Sequence, residues 1–385
     1  MKVGFFSAML GDPWGGSEEL WAAAAHEALQ AGHQIAVSVP EWRPRAAGVQ
    51  RLVDAGAALW ERRQQPRSKT LRLWLDRLSA RARPFLQPPP DVLCISQGST
   101  YDFLLTHHRA LVQHLTHEVG CPYVIVCQHN DDTILSHPGL RQRAVDFFER
   151  AVVVAFVAEH NRCEAERQLA RRLPAAVVLR NPVNLVSTDP VEWPAPAVIT
   201  RMASVARLEA LHKGQDVLLE ALAQPQWTQR AWELRIYGTG RDEDYLRSLS
   251  AMLQLEKRVR FMGQVPDLRA VWADNEILLL ASRHEGTPLA LVEAMLCGRT
   301  AVVTDVGGNL EWIDEGATGF IAEAPTARSV GAALERAWAA RAQWATMGRA
   351  AWSAAQARFD STPGRTLLRL LETVRRPDAA EQSPA

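Results

Sequence analysis

The chain has 385 residues, 47% hydrophobic and 22% charged, with 43 Lys and Arg against 43 Asp and Glu. That length exceeds one ordinary core and suits two domains of about 180 residues each. The even charge supplies no global field for nucleic acid, and no apolar run approaches the roughly 18 residues of a membrane span.

Lys2 to Ser7 predicts a first strand, and this short apolar start reads as that strand rather than as a secretory leader. The loop Gly11-Asp12-Pro13-Trp14-Gly15-Gly16-Ser17-Glu18 follows, and a helix from Ser17 to Ala31 is stopped by Gly32. Further strands are predicted at 34–39, 91–95, 123–127, 152–157 and 176–179. This alternation of strand and helix argues a doubly wound parallel sheet. From Asn181 through Pro190, Pro194 and Pro196 the chain is rich in proline and reads as an interdomain hinge. A second alternating series has strands at 197–204, 233–237, 258–262, 276–280, 300–304 and 319–322. The tail from Thr326 is helical and rich in Ala; Phe359-Asp360 punctuates it before a last helix, 366–374. The expected division is 1–182, then 183–359, with a frayed end at 376–385.

Charge is unevenly spread, for 41–90 holds eleven basic and four acidic residues, a net of +7. Within it Leu71, Leu75, Leu78 and Ala82 share a helical face flanked by Arg. Such a helix suits an anionic membrane surface, and equally suits packing on the sheet. Five cysteines without a C-x-x-C pair read as free thiols, several of them buried, in a reducing cytosol. The expected location is the cytoplasm, with a peripheral contact to the inner membrane face left open.

The most informative stretch is Ser282-Arg283-His284-Glu285-Gly286-Thr287-Pro288-Leu289-Ala290-Leu291-Val292-Glu293-Ala294-Met295. A buried strand runs into a polar loop carrying Glu285, and a helix starts near Pro288, a residue suited to a first helical position. Free N–H groups at a helix start attract anions, while carboxylates accept hydroxyls. Glu293, eight residues beyond Glu285, is expected about two turns along that helix. A ligand bearing both phosphate and hydroxyls fits this place.

The stretch resembles the Glu-x7-Glu signature of the retaining glycosyltransferases of family four. Cys297-Gly298-Arg299, Asp305-Val306-Gly307-Gly308-Asn309, Glu311 and Gly316-Ala317-Thr318-Gly319-Phe320 follow in that family's order. His284 departs from it, since an aromatic or aliphatic residue is commoner there. The resemblance implies the GT-B fold: α/β, with two doubly wound Rossmann-like domains facing each other across a cleft. It also implies that a C-terminal helix, 360–375, packs back on the N-terminal domain.

Three segments are then expected at the donor. In Ala206-Arg207-Leu208-Glu209-Ala210-Leu211-His212-Lys213-Gly214 the resemblance carries to Arg207 and Lys213 the stabilisation of a departing diphosphate. Two fixed cations perform that task without a metal. The loop with Gly15 and Gly16 takes a positioning role near the phosphates and sugar, and Trp14 is a candidate for stacking on the sugar. His129, in Cys127-Gln128-His129-Asn130, is implied to lie near sugar and acceptor. Within the family the later glutamate commonly holds the ribose diol and the earlier one a sugar hydroxyl, hence Glu293 and Glu285. Gly286, Thr287, Pro288 and Leu289 line the diphosphate, all but Pro288 offering a backbone N–H. Gly238 and Val265 wall the base pocket.

The catalytic candidates are therefore Arg207, Lys213, Glu285 and His129, with no metal ligands and no cofactor. His107, His108, His114, His117 and Glu118 lack zinc-site spacing and read as a solvated helix. The expected activity is transfer of a sugar from a UDP- or GDP-linked donor to an acceptor hydroxyl with retention, in envelope polysaccharide or glycolipid synthesis. The expected partners are that donor and a glycan or lipid-linked acceptor, with no nucleic acid. A non-catalytic nucleotide-sugar-binding module remains open, as does a GT-B epimerase or phosphorylase.

Overall fold

The computed structural model describes residues 1–9, 13–62, 85, 87–102, 112–130 and 138–374. The chain divides into two compact units, Met1–Pro182 joined by the segment from Asp360, and Val183–Phe359. No helix among the described residues is long and apolar enough to cross a membrane. The basic amphipathic stretch at 69–83 lies outside the described residues, as do His107 and His108.

The first unit is built on a parallel sheet of seven strands: β1 (Lys2–Ser7), β2 (Gln34–Pro40), β3 (Ala58–Arg62), β4 (Val92–Gln97), β5 (Tyr123–Cys127), β6 (Val153–Phe156) and β7 (Ala176–Val178). Their order across the sheet is β3-β2-β1-β4-β5-β6-β7. Helices α1 (Gly16–Gln30), α2 (Ala47–Asp54), α3 (Pro138–Glu149) and α4 (Glu159–Leu169) connect them. Every residue of β4 and β5 is buried, as expected for strands covered on both faces. Each fully buried Val, Leu or Ile there contributes about 1.5–3 kcal/mol.

Sequence pattern misses β3. Its run Ala-Leu-Trp-Glu-Arg lacks an apolar core, yet as an edge strand it needs only Trp60 and Arg62 turned inward. The C-terminal helix, Pro363–Val374, joins this unit through Leu367, Leu368 and Leu371, which share a cluster with Leu20, Trp21, Ala24 and Ala25 of α1. Arg365 pairs with Glu27 at 3.2 Å on the same contact.

The second unit has a parallel sheet of six strands: β8 (Thr200–Val205), β9 (Trp232–Tyr237), β10 (Val259–Gly263), β11 (Ile277–Leu280), β12 (Thr300–Thr304) and β13 (Gly319–Ala322). Their order is β10-β9-β8-β11-β12-β13. The helices are α5 (Ala210–Lys213), α6 (Gln215–Leu222), α7 (Glu243–Met252), α8 (Leu268–Asp274), α9 (Leu289–Leu296), α10 (Ala327–Ala339) and α11 (Trp344–Arg358). In each sheet the order reverses once, between β1 and β4 and between β8 and β11. Ligands of open α/β sheets bind beyond the strand ends at such a point, because the flanking loops part there.

The proline-rich connection is held to the second unit rather than hanging free. Arg299 is fully buried, and its guanidinium donates only to carbonyls, among them those of Val191, Glu192, Trp272 and Asn275. Burial lowers its pKa to about 10, which still leaves it charged. Arg269 donates to the Ser187 and Asp189 carbonyls at 2.9 and 2.7 Å, and the Trp352 indole to that of Thr188 at 2.8 Å. Residues 183–193 thereby form a strap over the second unit.

Candidate functional site

At the carboxyl end of β8 the chain turns through Ala206 and Arg207. Leu208 N–H donates to the Thr239 carbonyl at 3.0 Å, and the buried Gln215 amide to the Arg207 carbonyl at 2.7 Å. The backbone at Arg207 is therefore held from two sides. Its guanidinium is half exposed and lies 3.4 Å from the Glu209 carboxylate. One helical turn, α5, then delivers Lys213.

Gly214 follows with φ +62°, and a Cβ there would sit 1.9 Å from the Ala281 carbonyl oxygen. Only glycine allows this approach, which brings α5 onto the loop after β11. Arg283 and His284 N–H both donate to the His212 carbonyl, and Arg283 grips Asp216 with two bonds of 2.8 and 2.9 Å. The rings of His212 and His284 meet edge to face at 5.4 Å, so the unusual His284 has a partner within the loops.

Lys213 Nζ then reaches Glu285 Oε1 at 2.9 Å, and Ser282 Oγ donates to the same oxygen at 2.7 Å. Glu285 is 7% exposed, so solvent does little to screen its carboxylate. Two further contacts lock the loop. Thr304 Oγ1 donates to the Ser282 carbonyl at 2.6 Å, and Gly308 N–H to the Gly286 carbonyl at 2.9 Å. Gly307, at φ +51°, passes so close that a Cβ would lie 2.1 Å from the Glu285 carbonyl oxygen.

Gly286, Thr287 and Pro288 are buried, and Leu289 is half-buried. Pro288 is the N-cap rather than the first helical residue, with its carbonyl accepting from Leu291 and Val292. The helix thus begins at Leu289, and Glu293 lies about one turn along it rather than two. Glu293 is 4% exposed and accepts the Asn184 backbone N–H at 2.9 Å. Burial raises its pKa to about 7 despite that bond. Gly238 and Val265 flank neighbouring strand ends. Gly238 N–H donates to the Gly263 carbonyl at 2.8 Å, and Val265 is half-buried beside the Tyr237 and Trp272 cluster.

Arg207, Lys213, Gly238, Val265, 285–289 and Glu293 all belong to the second unit; Gly15, Gly16 and His129 belong to the first. Gly15 is the extended N-cap of α1, and among the described residues a Cβ there would meet Ser17 Oγ alone, at 3.9 Å. Glu18 turns inward instead of facing the loop. It accepts from Ser7 Oγ at 3.1 Å and from the Trp21 indole at 2.9 Å, and burial raises its pKa to about 7. Buried Arg62 approaches from β3 and donates to the Ser7 carbonyl.

Trp14 is not poised to stack on a sugar. Its ring packs on Gly48 of α2 and edge to face on Trp21, and its indole N–H donates to Glu19 at 2.5 Å. The His129 ring lies over Gly98, where a Cβ would be 2.5 Å from Cε1, and the His129 backbone N–H donates to the Gly98 carbonyl at 3.1 Å. His114 faces Glu118 one turn on, and among the described residues no three His, Cys, Asp or Glu side chains gather as a metal site. Sequence spacing missed Asn184, Ser282, Gln215 and Asp216. They act by holding other residues, and no motif marks such a role.

Residues 200–339 match the family model of glycosyl transferases group 1. WcaL of Salmonella typhimurium, a glycosyltransferase attributed to colanic acid biosynthesis, is 34% identical over 148 residues, covering 36% of this chain and 36% of the relative. N-acetyl-alpha-D-glucosaminyl L-malate synthase of Bacillus anthracis is 35% identical over 91 residues, covering 24% of each. The chain spans 32–39% of the length of the first curated relatives it matches.

Solved structures extend the likeness in fold to nearly the whole chain. Anabaena HepE in complex with UDP superposes with a TM-score of 0.72 at 20% identity, covering 97% of this chain and 100% of HepE. A glycosyltransferase of Rickettsia africae gives 0.76 at 15% identity, covering 97% and 98%. The fold is GT-B, two Rossmann-like domains, and its second unit carries the group 1 glycosyltransferase match.

Proposed function

We propose that this protein is a retaining glycosyltransferase that moves a sugar from a nucleoside-diphosphate donor to an acceptor hydroxyl without a metal. The observation that carries the reading is the Lys213–Glu285 pair at the switch point of the second sheet, with Glu293 on the helix that follows. A diphosphate gains negative charge as the glycosidic bond breaks, and Arg207 with Lys213 supplies two positive groups from the connection that follows β8. Arg207 is half exposed and offers a planar fork of donors. Glu285 accepts a hydroxyl of the donor sugar, and Glu293 the ribose diol.

Among the described residues no carboxylate stands out as a covalent nucleophile, and we infer front-face attack in which the departing phosphate takes the acceptor's proton. The roles of His129 and the Gly15-Gly16 loop toward sugar and acceptor rest on the family resemblance alone. HepE has been solved with UDP and with UDP-glucose, and WcaL is attributed to colanic acid biosynthesis. Both favour a nucleotide-sugar donor and a role in polysaccharide or glycolipid synthesis.

The test is a panel of UDP- and GDP-linked sugars followed by calorimetry and product analysis in the presence of a chelator. One donor should bind and turn over, with the anomeric configuration kept. If none binds, and Glu293→Ala leaves UDP and GDP affinities unchanged, the reading is wrong.

A further inference from the structure

The strap of residues 183–193 meets the candidate donor site at one residue. Asn184 is exposed, yet its backbone N–H points inward and donates to Glu293 Oε1 at 2.9 Å. The rest of the strap is fastened independently, by Arg299, Arg269 and Trp352. The Asn184 contact is therefore not needed to hold the strap down. What it does hold is the carboxylate.

We propose that Asn184 is a positioning residue for the nucleotide: its N–H fixes one oxygen of Glu293 so that the other is presented to the ribose diol. This rests on the donor reading above and adds to it the group that orients the carboxylate. A glutamate has three side-chain torsions, and a buried one with no fixed partner samples rotamers that aim away from a ligand. A hydrogen bond to the charged form also keeps it ionised against the cost of burial, and an ionised carboxylate accepts two hydroxyls. The other titratable group near this point is the buried Cys297 thiol one turn on, with Arg269, Arg299 and Asp267 around it.

The experiment measures UDP and GDP affinity by calorimetry on the full chain between pH 5 and 9. Asn184→Pro removes the N–H, Asn184→Ala removes only the amide side chain, and Val186→Pro puts a proline elsewhere on the exposed strap. Asn184→Pro should weaken binding at least tenfold and move the lower limit of the pH profile upward. Asn184→Ala, which keeps the backbone N–H, and Val186→Pro should each cost less than twofold. In a Glu293→Gln background the loss from Asn184→Pro should shrink below threefold, because the effect runs through the carboxylate.

Equal losses in both backgrounds, or unchanged affinity in Asn184→Pro, would overturn the assignment. Should Asn184→Pro not fold, amide hydrogen exchange on the native protein decides. UDP must slow exchange at Asn184 and leave Val186 unchanged, and equal exchange with and without UDP refutes the proposal. If the native protein binds neither UDP nor GDP, the donor reading itself fails and this inference goes with it.

Discussion

Lys213 Nζ and Glu285 Oε1 lie 2.9 Å apart although 72 residues separate them in the chain. Glu285 is buried and Lys213 largely so, which makes the pair sensitive to the loss of either member.

Lys213→Ala should therefore act twice. It takes the ammonium from a buried carboxylate to which Ser282 still donates, which costs about 1–3 kcal/mol and lowers the melting temperature. It also removes one of two cations proposed for the diphosphate, so transfer should fall by about 10²–10³. Lys213→Arg should recover much of the stability and less of the activity. A melt and a kcat/KM measured on the same preparations separate the two effects.

Glu18 and Glu293 give the protein a pH dependence of one sign. Each has a folded pKa of about 7, raised chiefly by burial. A carboxyl raised in this way favours the folded state at low pH, where it is protonated in both states. That contribution is lost as pH rises from the usual carboxylate range to about 7. It amounts to roughly 3 kcal/mol per group, at about 1.4 kcal/mol per unit. Glu18→Gln should flatten the slope of urea stability between pH 5 and 7 by about half, and so should Glu293→Gln. An unaltered slope in both variants refutes the assignment.

Two glycines should separate fold from ligand. Gly214→Ala forces a Cβ against the Ala281 carbonyl at a positive φ, and should destabilise by about 1–3 kcal/mol while displacing Lys213. Among the described residues Gly15→Ala meets nothing closer than Ser17 Oγ at 3.9 Å and should leave the melting temperature within about 1 °C. Gly15→Ala should still lower donor kcat/KM by about tenfold, and an unchanged kcat/KM removes the loop from the donor reading.

Arg299 holds carbonyls of the strap and of the turn after α8 with no carboxylate opposite. Arg299→Met removes these bonds and leaves buried carbonyls unpaired, so a loss of about 3–5 kcal/mol is expected in chemical denaturation. Limited proteolysis should then cut first within 183–193.

Much of the architecture was legible because strands buried on both faces leave continuous apolar runs. β1, β5, β12 and β13 begin and end where those runs do. The loop from Ser282 to Leu289 was legible for a related reason, since turn and cap chemistry is local. β3 was not, because an edge strand tolerates Glu61 and a buried Arg62 that sequence pattern reads as part of a basic stretch. Trp14 in a glycine loop read as a ligand contact, and only packing on Gly48 and Trp21 showed where its ring goes.

Residue order thus decided the alternation of elements and the loops that carry polar groups, and through the family resemblance it nominated Arg207, Lys213, Glu285 and Glu293. Which of those groups meet was decided by sheet order. Setting β8 beside β11 brings the loops after them together, and so pairs Lys213 with Glu285 and Arg283 with Asp216. The same holds for Glu293, whose partner comes from a strap 109 residues earlier. The cost of burying a charge depends on what surrounds it in space, and distance along the chain carries no record of that.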